Sequence, residues 1–160
     1  MLSDDHTLLE LGNAAIDLAV GNVMNGGGPF GAIIVRNGEV IARGINNVTI
    51  SNDPTAHAEV VAIRQACTMV NNFQLQDCIL ITSCEPCPMC LGAIYWARIK
   101  AVYFVASQHD AAAAGFDDSF IYKELETSHE DRKIPFIRLE LSNSTAPFEA
   151  WSKMGDKTLY

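Results

Sequence analysis

The apolar positions of the chain change period several times, and each change marks a predicted element. Between Thr7 and about Met24, residues Leu8, Leu9, Leu11, Ala15, Ile16, Leu18 and Ala19 recur near a helical period and predict an amphipathic helix. The run Asn25-Gly26-Gly27-Gly28-Pro29 breaks it. Phe30 to Arg36 then reads as a buried strand. Asn37-Gly38 is a hairpin signal that returns the chain through Val40 to Asn46. After a loop at Ser51-Asn52-Asp53-Pro54-Thr55, residues Val60, Val61, Ile63 and Ala66 line one side of a helix expected from near Ala56 to Met69.

The second half repeats this alternation of periods. Cys78 to Ser83 is a strand, fully apolar through Ile79-Leu80-Ile81, and a helix opens at Pro86 or Cys87 and runs to Trp96. Ala101 to Ala106 is another strand, followed by a helical region from Asp110 to about Glu126 that Gly115 interrupts. Ile134 to Leu141 reads as a last strand and Pro147 to Met154 as a last helix. This order predicts an α/β fold, a three-layer α-β-α arrangement around a mixed five-stranded sheet. Helices between the later strands imply that those strands run parallel. No repeat, low-complexity tract or Pro/Ser-rich linker divides the chain, so residues 1–160 are expected to form a single domain.

Composition narrows the class. The 160 residues are 49% hydrophobic, but no stretch approaches the length of apolar chain that spans a bilayer, so no membrane partner is expected. The opening Met1-Leu2-Ser3-Asp4-Asp5-His6 is acidic where a signal peptide would be basic and then apolar. Five cysteines, three of them within Cys84 to Cys90, suit a reducing compartment and metal or catalytic use better than a disulfide framework. A cytoplasmic location is expected. The formal charge of −8 argues against a nucleic-acid partner, because phosphate neutralisation supplies much of such binding. The basic residues are sparse, Arg132-Lys133 being the only concentrated pair. A small free substrate is favoured.

Against this background the chemistry concentrates in His57-Ala58-Glu59 and Cys84-Glu85-Pro86-Cys87-Pro88-Met89-Cys90. An imidazole and two thiols at C-x-x-C spacing are three ligands, and a catalytic zinc site keeps three protein ligands with an open fourth position. Both segments fall where the chain turns into a helix, where backbone N–H groups favour thiolate over thiol. Neutral histidine with two thiolates suits zinc. Glu59, two residues beyond His57, can carry protons between water and a leaving nitrogen. Three other readings compete. Cys84 could close a four-ligand structural zinc site, leaving a binding scaffold rather than an enzyme, although Pro86 stiffens the path to Cys87. The Cys84-x-x-Cys87-x-x-Cys90 spacing copies the start of a ferredoxin cluster run, but Ile94 and Tyr95 stand where its next cysteine and proline belong. The cysteines could also simply pack, a fair default for Cys67 and Cys78. Glu59 could likewise be ordinary first-turn electrostatics.

His-x-Glu followed by Pro-Cys-x-x-Cys is the signature of the zinc deaminases, and the chain resembles the cytidine-deaminase-like superfamily. The resemblance extends through Gly27-Gly28-Pro29-Phe30-Gly31-Ala32, Asn46-Asn47-Val48, Ser51 to Glu59 and Thr82 to Trp96. It continues through Ala114 to Glu124, with its Gly115-Phe116-Asp117-Asp118-Ser119-Phe120 run, and Pro147 to Trp151. Those last two stretches narrow it to the small bacterial guanine deaminases. The resemblance implies hydrolytic deamination of guanine to xanthine and ammonia, hence a role in purine catabolism, salvage or nitrogen scavenging. It implies one Zn2+ per chain on His57, Cys87 and Cys90, with Glu59 as proton shuttle. It also implies a base pocket of Phe30, Asn46, Trp96, Asp118 and the C-terminal Tyr160, and a homodimer in which a segment from about 145 to 160 can be exchanged. On the residues alone, Asp118 reads equally as a helix cap, Phe30 and Trp96 as core, and Tyr160 as a frayed end. Their chemistry nevertheless suits guanine, whose N–H donors and ring acceptors call for a carboxylate, an amide and a stacking ring. Deaminases of cytosine, cytidine or tRNA adenosine share the metal motif and remain rivals at this point.

Overall fold

The computed structural model describes residues 5–160, so the first four residues of the acidic opening lie outside it. The chain divides into two compact units, one ending at Asp118 and one running from Ser119 to Tyr160. In the first, α1 (Asp5–Met24) precedes the hairpin β1 (Gly31–Arg36) and β2 (Glu39–Ile45), a short α2 (Val48–Ser51), and α3 (Ala58–Val70). Then come β3 (Cys78–Cys84), α4 (Pro88–Trp96), β4 (Ala101–Ala106) and α5 (Gln108–Ala113). The sheet order is β2-β1-β3-β4, with β1 antiparallel to both neighbours and β3 parallel to β4 across the α4 crossover.

Strands buried on both faces need unbroken apolar sequence, and the central pair has it. On one face Ile33 and Val35 of β1 and Ile79 and Ile81 of β3 pack with Ala15 of α1. On the other, Ala32, Ile34 and Leu80 pack with Ala58, Ala62, Ile63 and Ala66 of α3 and Ile94 of α4. Each large aliphatic side chain buried this way stabilises the fold by roughly 1.5–3 kcal/mol. Small residues set how closely α3 sits. A Cβ on Gly44 of β2 would collide with the Ala58 carbonyl and the Ala62 amide, so the helix rests directly on the strand backbone. That contact fixes the start of α3, where His57 and Glu59 lie.

The second unit holds α6 (Ser119–Glu126) and α7 (Ala146–Lys153). The helical region expected from Asp110 to about Glu126 is interrupted at Gly115 as expected: it is two helices, α5 and α6, with Gly115 between them at φ +93°. The expected five-stranded sheet has four strands among the described residues. Ile134 to Leu141 pairs with no strand among the described residues, and Ile134, Ile137, Leu139 and Leu141 are more than half exposed. The alternation Phe136, Arg138, Glu140 against Ile137, Leu139, Leu141 satisfies a strand's period, but a strand also needs a partner edge, and Pro135 removes one ladder donor. Period alone does not supply the partner.

Candidate active site

The two motif segments are placed as helix starts. His57 occupies the N-cap of α3 and Cys87 that of α4, both in extended backbone (φ −68°, ψ 154° and φ −65°, ψ 168°). Pro88 follows at the first helical position, where its fixed φ is already helical and its missing N–H costs nothing. Neither N-cap side chain caps its own helix. Both turn instead toward each other: Cys87 Sγ lies 3.5 Å from His57 Nδ1, and Cys90 Sγ, one turn into α4, lies 3.6 Å from the same nitrogen. The ligand atoms of His57, Cys87 and Cys90 all fall within 4.8 Å of one another. Nδ1 is therefore the imidazole nitrogen presented to an ion.

Protonation within this group follows from its contacts. Hydrogen bonding with Cys90, reinforced by His57, lowers the Cys87 thiol to about 4, so it is a thiolate. Cys90, sharing that bond and fully buried, is pushed upward and keeps its proton, and its Sγ lies 3.4 Å from Glu59 Oε2. His57 is raised by its bond to Cys87. Two sulfurs and one imidazole, at the positive ends of two helices, form a soft-to-borderline donor set that fits zinc, and binding would release the Cys90 proton.

Glu59 is 5% exposed, in the first turn of α3. Burial is the main cause that raises its carboxyl above the ordinary range, and Thr82 Oγ1 donates to its Oε1 at 3.5 Å. A carboxyl that can hold or release a proton thus stands against the metal ligands. Cys84 is directed elsewhere. Its thiol donates to the Ser107 carbonyl at 3.6 Å, and burial pushes it up to about 11.

Of the residues assigned to the base pocket, Phe30, Asn46, Trp96 and Asp118 belong to the cluster's unit. Asp118 is partly buried, and its carboxyl is raised first by burial and then by the Cys87 charge. Phe30 is half-buried and meets the Phe116 ring edge-on at 5.0 Å between centroids. Asn46 is buried, and its Oδ1 accepts the Val48 N–H at 3.3 Å, so its amide NH2 is left to donate. Trp96 sits at the far end of α4 from Cys87 and is 67% exposed. Tyr160 belongs to the second unit and packs edge-on against Trp151 at 6.4 Å. Sequence reasoning did not single out Phe116 as a ring partner of Phe30, although it lies in the same run as Asp118. It also gave no role to Asn22 on α1. An apolar cavity of about 340 Å³ lies beside Phe30, Cys84 and Phe116, but His57, Glu59, Cys87 and Cys90 do not line it.

A three-layer sheet with His-x-Glu opening one helix and Cys-x-x-Cys opening the next defines a zinc-dependent deaminase. Residues 4–106 match the cytidine and deoxycytidylate deaminase zinc-binding region, and the chain belongs to that family. It is 60% identical over 147 residues to guanine deaminase of Bacillus subtilis strain 168, covering 91% of this chain and 94% of that one. The X-ray structure of guanine deaminase from Bacillus subtilis superposes with a TM-score of 0.94 at 57% identity, over 98% of this chain and 99% of that one. A guanine deaminase structure from Nitrosomonas europaea is similar at a TM-score of 0.65 and 32% identity, over 67% of this chain and 63% of that one.

Proposed function

We propose that the protein hydrolyses guanine to xanthine and ammonia, with one zinc ion per chain held by His57, Cys87 and Cys90. The observation that carries this is the end-to-end likeness to the Bacillus subtilis guanine deaminase, which extends past the metal motif into Asp118 and the second unit. Zinc held by these three residues would supply the Lewis acidity that makes water nucleophilic near neutral pH. Glu59 takes the proton from the attacking water and delivers it to the amine leaving C2, leaving oxygen on that carbon. Its raised pKa allows both steps. Phe30 stacks on the base. Asn46 donates from Nδ2 to a ring acceptor, its Oδ1 being occupied by Val48, and Asp118 accepts from the N1–H and amino edge. Trp96 and Tyr160 complete the pocket. No described helix is long and apolar enough to cross a membrane. None of the five cysteines is in a disulfide, which suits a reducing compartment such as the cytoplasm.

Ammonia release from guanine, adenine, adenosine, cytosine and cytidine by the zinc-loaded protein tests the substrate. Guanine is expected to be fastest, and faster release from cytosine or adenosine would overturn the choice. Asp118→Asn is expected to lower kcat/KM for guanine about 10–100-fold, the equivalent of the ~1.5–3 kcal/mol of a hydrogen bond to a charged group, with zinc content unchanged. An undiminished kcat/KM would remove Asp118 from the pocket.

The same reading treats 1–160 as one functional domain, active as a homodimer that exchanges the segment from about 145 to 160. The second unit supports this by what it exposes: Ile137 is 81%, Leu139 74%, Phe148 72% and Leu159 72% accessible, an apolar surface that calls for a partner. Its end is held rather than loose. Lys157 Nζ donates to the Ser152 and Met154 carbonyls at 2.8 and 3.4 Å, closing the C-terminus of α7, and Trp151 holds the Tyr160 ring. A chain ending at Gly155 is expected to keep its zinc while guanine turnover collapses. Unchanged kinetics would show that the tail takes no part.

A further inference from the structure

We propose that Asn22, which no motif includes, is a positioning residue that fixes the two substrate contacts Phe30 and Asn46. This rests on the reading of those two residues as guanine contacts. Asn22 lies on the last full turn of α1 and is 2% exposed. Its Nδ2 donates to the Gly28 carbonyl and to the Asn46 carbonyl, both at 2.8 Å. Carbonyl oxygens only accept, so the orientation of the amide is settled by its partners. Both carbonyls belong to one closed circuit: Phe30 N donates to Gly28 O at 2.9 Å, and Asn46 N donates to Phe30 O at 3.2 Å. One side-chain NH2 group thereby ties together the backbone of the ring that stacks and the amide that donates.

The other end of the same side chain shows what the amide is there to do. Asn22 Oδ1 is buried and has no hydrogen-bond partner among the described residues. An unsatisfied buried acceptor destabilises the fold, and an apolar side chain at position 22 would avoid it, as Ala15 and Ala19 do on the same helix. The gain lies in the donor end alone. The glycine loop is shaped to reach it. A Cβ on Gly27 would collide with the Asn22 amide, and one on Gly28 would come within 2.8 Å of Asn46 Oδ1. The Gly27-Gly28 pair lets the loop press against both amides at once, and a side chain at either position would push them apart.

The consequence is kinetic. Loosening Phe30 and Asn46 weakens grip on the base without touching the ligands on α3 and α4. Asn22→Ala is expected to raise KM for guanine roughly 10-fold or more, with kcat changed much less and zinc content that of the parent. In a Phe30→Ala, Asn46→Ala double background the same change should add less than about 2-fold, because both contacts it positions are already gone. Should Asn22→Ala fail to fold, Asn22→Ser, which keeps one donor, takes its place in the cycle with a smaller but equally non-additive rise. A KM within about 2-fold of the parent, or an equal fold-loss in both backgrounds, would overturn the proposal and leave Asn22 a packing residue. Asn46→Ala alone separates the two layers. If it leaves KM for guanine unchanged, the substrate reading falls; if it raises KM while Asn22→Ala does not, only the clamp falls.

Discussion

A Glu59→Gln protein is expected to bind zinc as the parent does and to turn over guanine roughly 10²–10⁴-fold more slowly, the usual scale for removing general acid–base help. The substitution is nearly isosteric. Glutamine fills the same buried space and its oxygen can still accept from Thr82 Oγ1, which lies 3.5 Å from Glu59 Oε1. What it loses is the exchangeable proton. In the parent that proton is within easy reach, because burial holds the carboxyl above its ordinary range and Ala58 alone separates it from His57. Hydrolysis moves a proton from water to the leaving amine, and a group that cannot accept one cannot deliver one. Steady-state turnover measured beside metal analysis decides the matter: near-parent turnover would strip Glu59 of this role, and loss of zinc would make it a matter of structure.

The second large effect concerns the sulfurs. Cys90→Ala and His57→Ala are each expected to lose most of their zinc and fall to background turnover, while Cys84→Ser keeps one zinc per chain and remains active. The three cysteines are spaced evenly in the sequence, yet they differ in what they face. Cys87 and Cys90 lie 3.5 and 3.6 Å from the same imidazole nitrogen, whereas Cys84 spends its proton on the Ser107 carbonyl. A thiol held up at about 11 has little thiolate to offer a cation. Metal content measured on purified variants separates the sites. Zinc lost from Cys84→Ser would make it a four-ligand, structural site and would take the open coordination position, and the enzyme reading, with it.

The legible parts of the chain were those where local sequence and tertiary demand agree. Ile79-Leu80-Ile81 could only be a strand buried on both faces, and it lies at the centre of the sheet with α1 on one side and α3 on the other. The expected opening of α4 at Pro86 or Cys87 falls within two residues of its start at Pro88, with Cys87 as the N-cap. Ile134 to Leu141 was misread because alternation reports which faces a segment offers, not whether an edge exists to receive it. The start of α5 at Gln108 escaped for another reason. Its signal is a reciprocal cap, Ser107 accepting from the Asp110 N–H and Asp110 accepting from the Ser107 N–H, with an aspartate where a glutamate is the usual sign. Within the site, spacing brought out His57, Glu59, Cys87 and Cys90, since each pair shares a helix start. Asn22 left no such trace. Its partners are main-chain carbonyls 6 and 24 residues away, and a carbonyl has no letter in the sequence.

Positions 57 and 87 open two helices, and helix stability alone would fill such positions with serine, threonine, aspartate or asparagine, a difference of about 0.5–2 kcal/mol each. The chain places an imidazole and a thiolate there instead, and neither side chain caps its helix. The same two sites therefore serve competing demands. Any pressure toward a sturdier metal-free chain drives both toward ordinary caps, and each step in that direction dismantles the cluster. Thermostability selected without zinc would breed a better scaffold and a poorer enzyme, so improvement of this protein has to be sought with the metal in place.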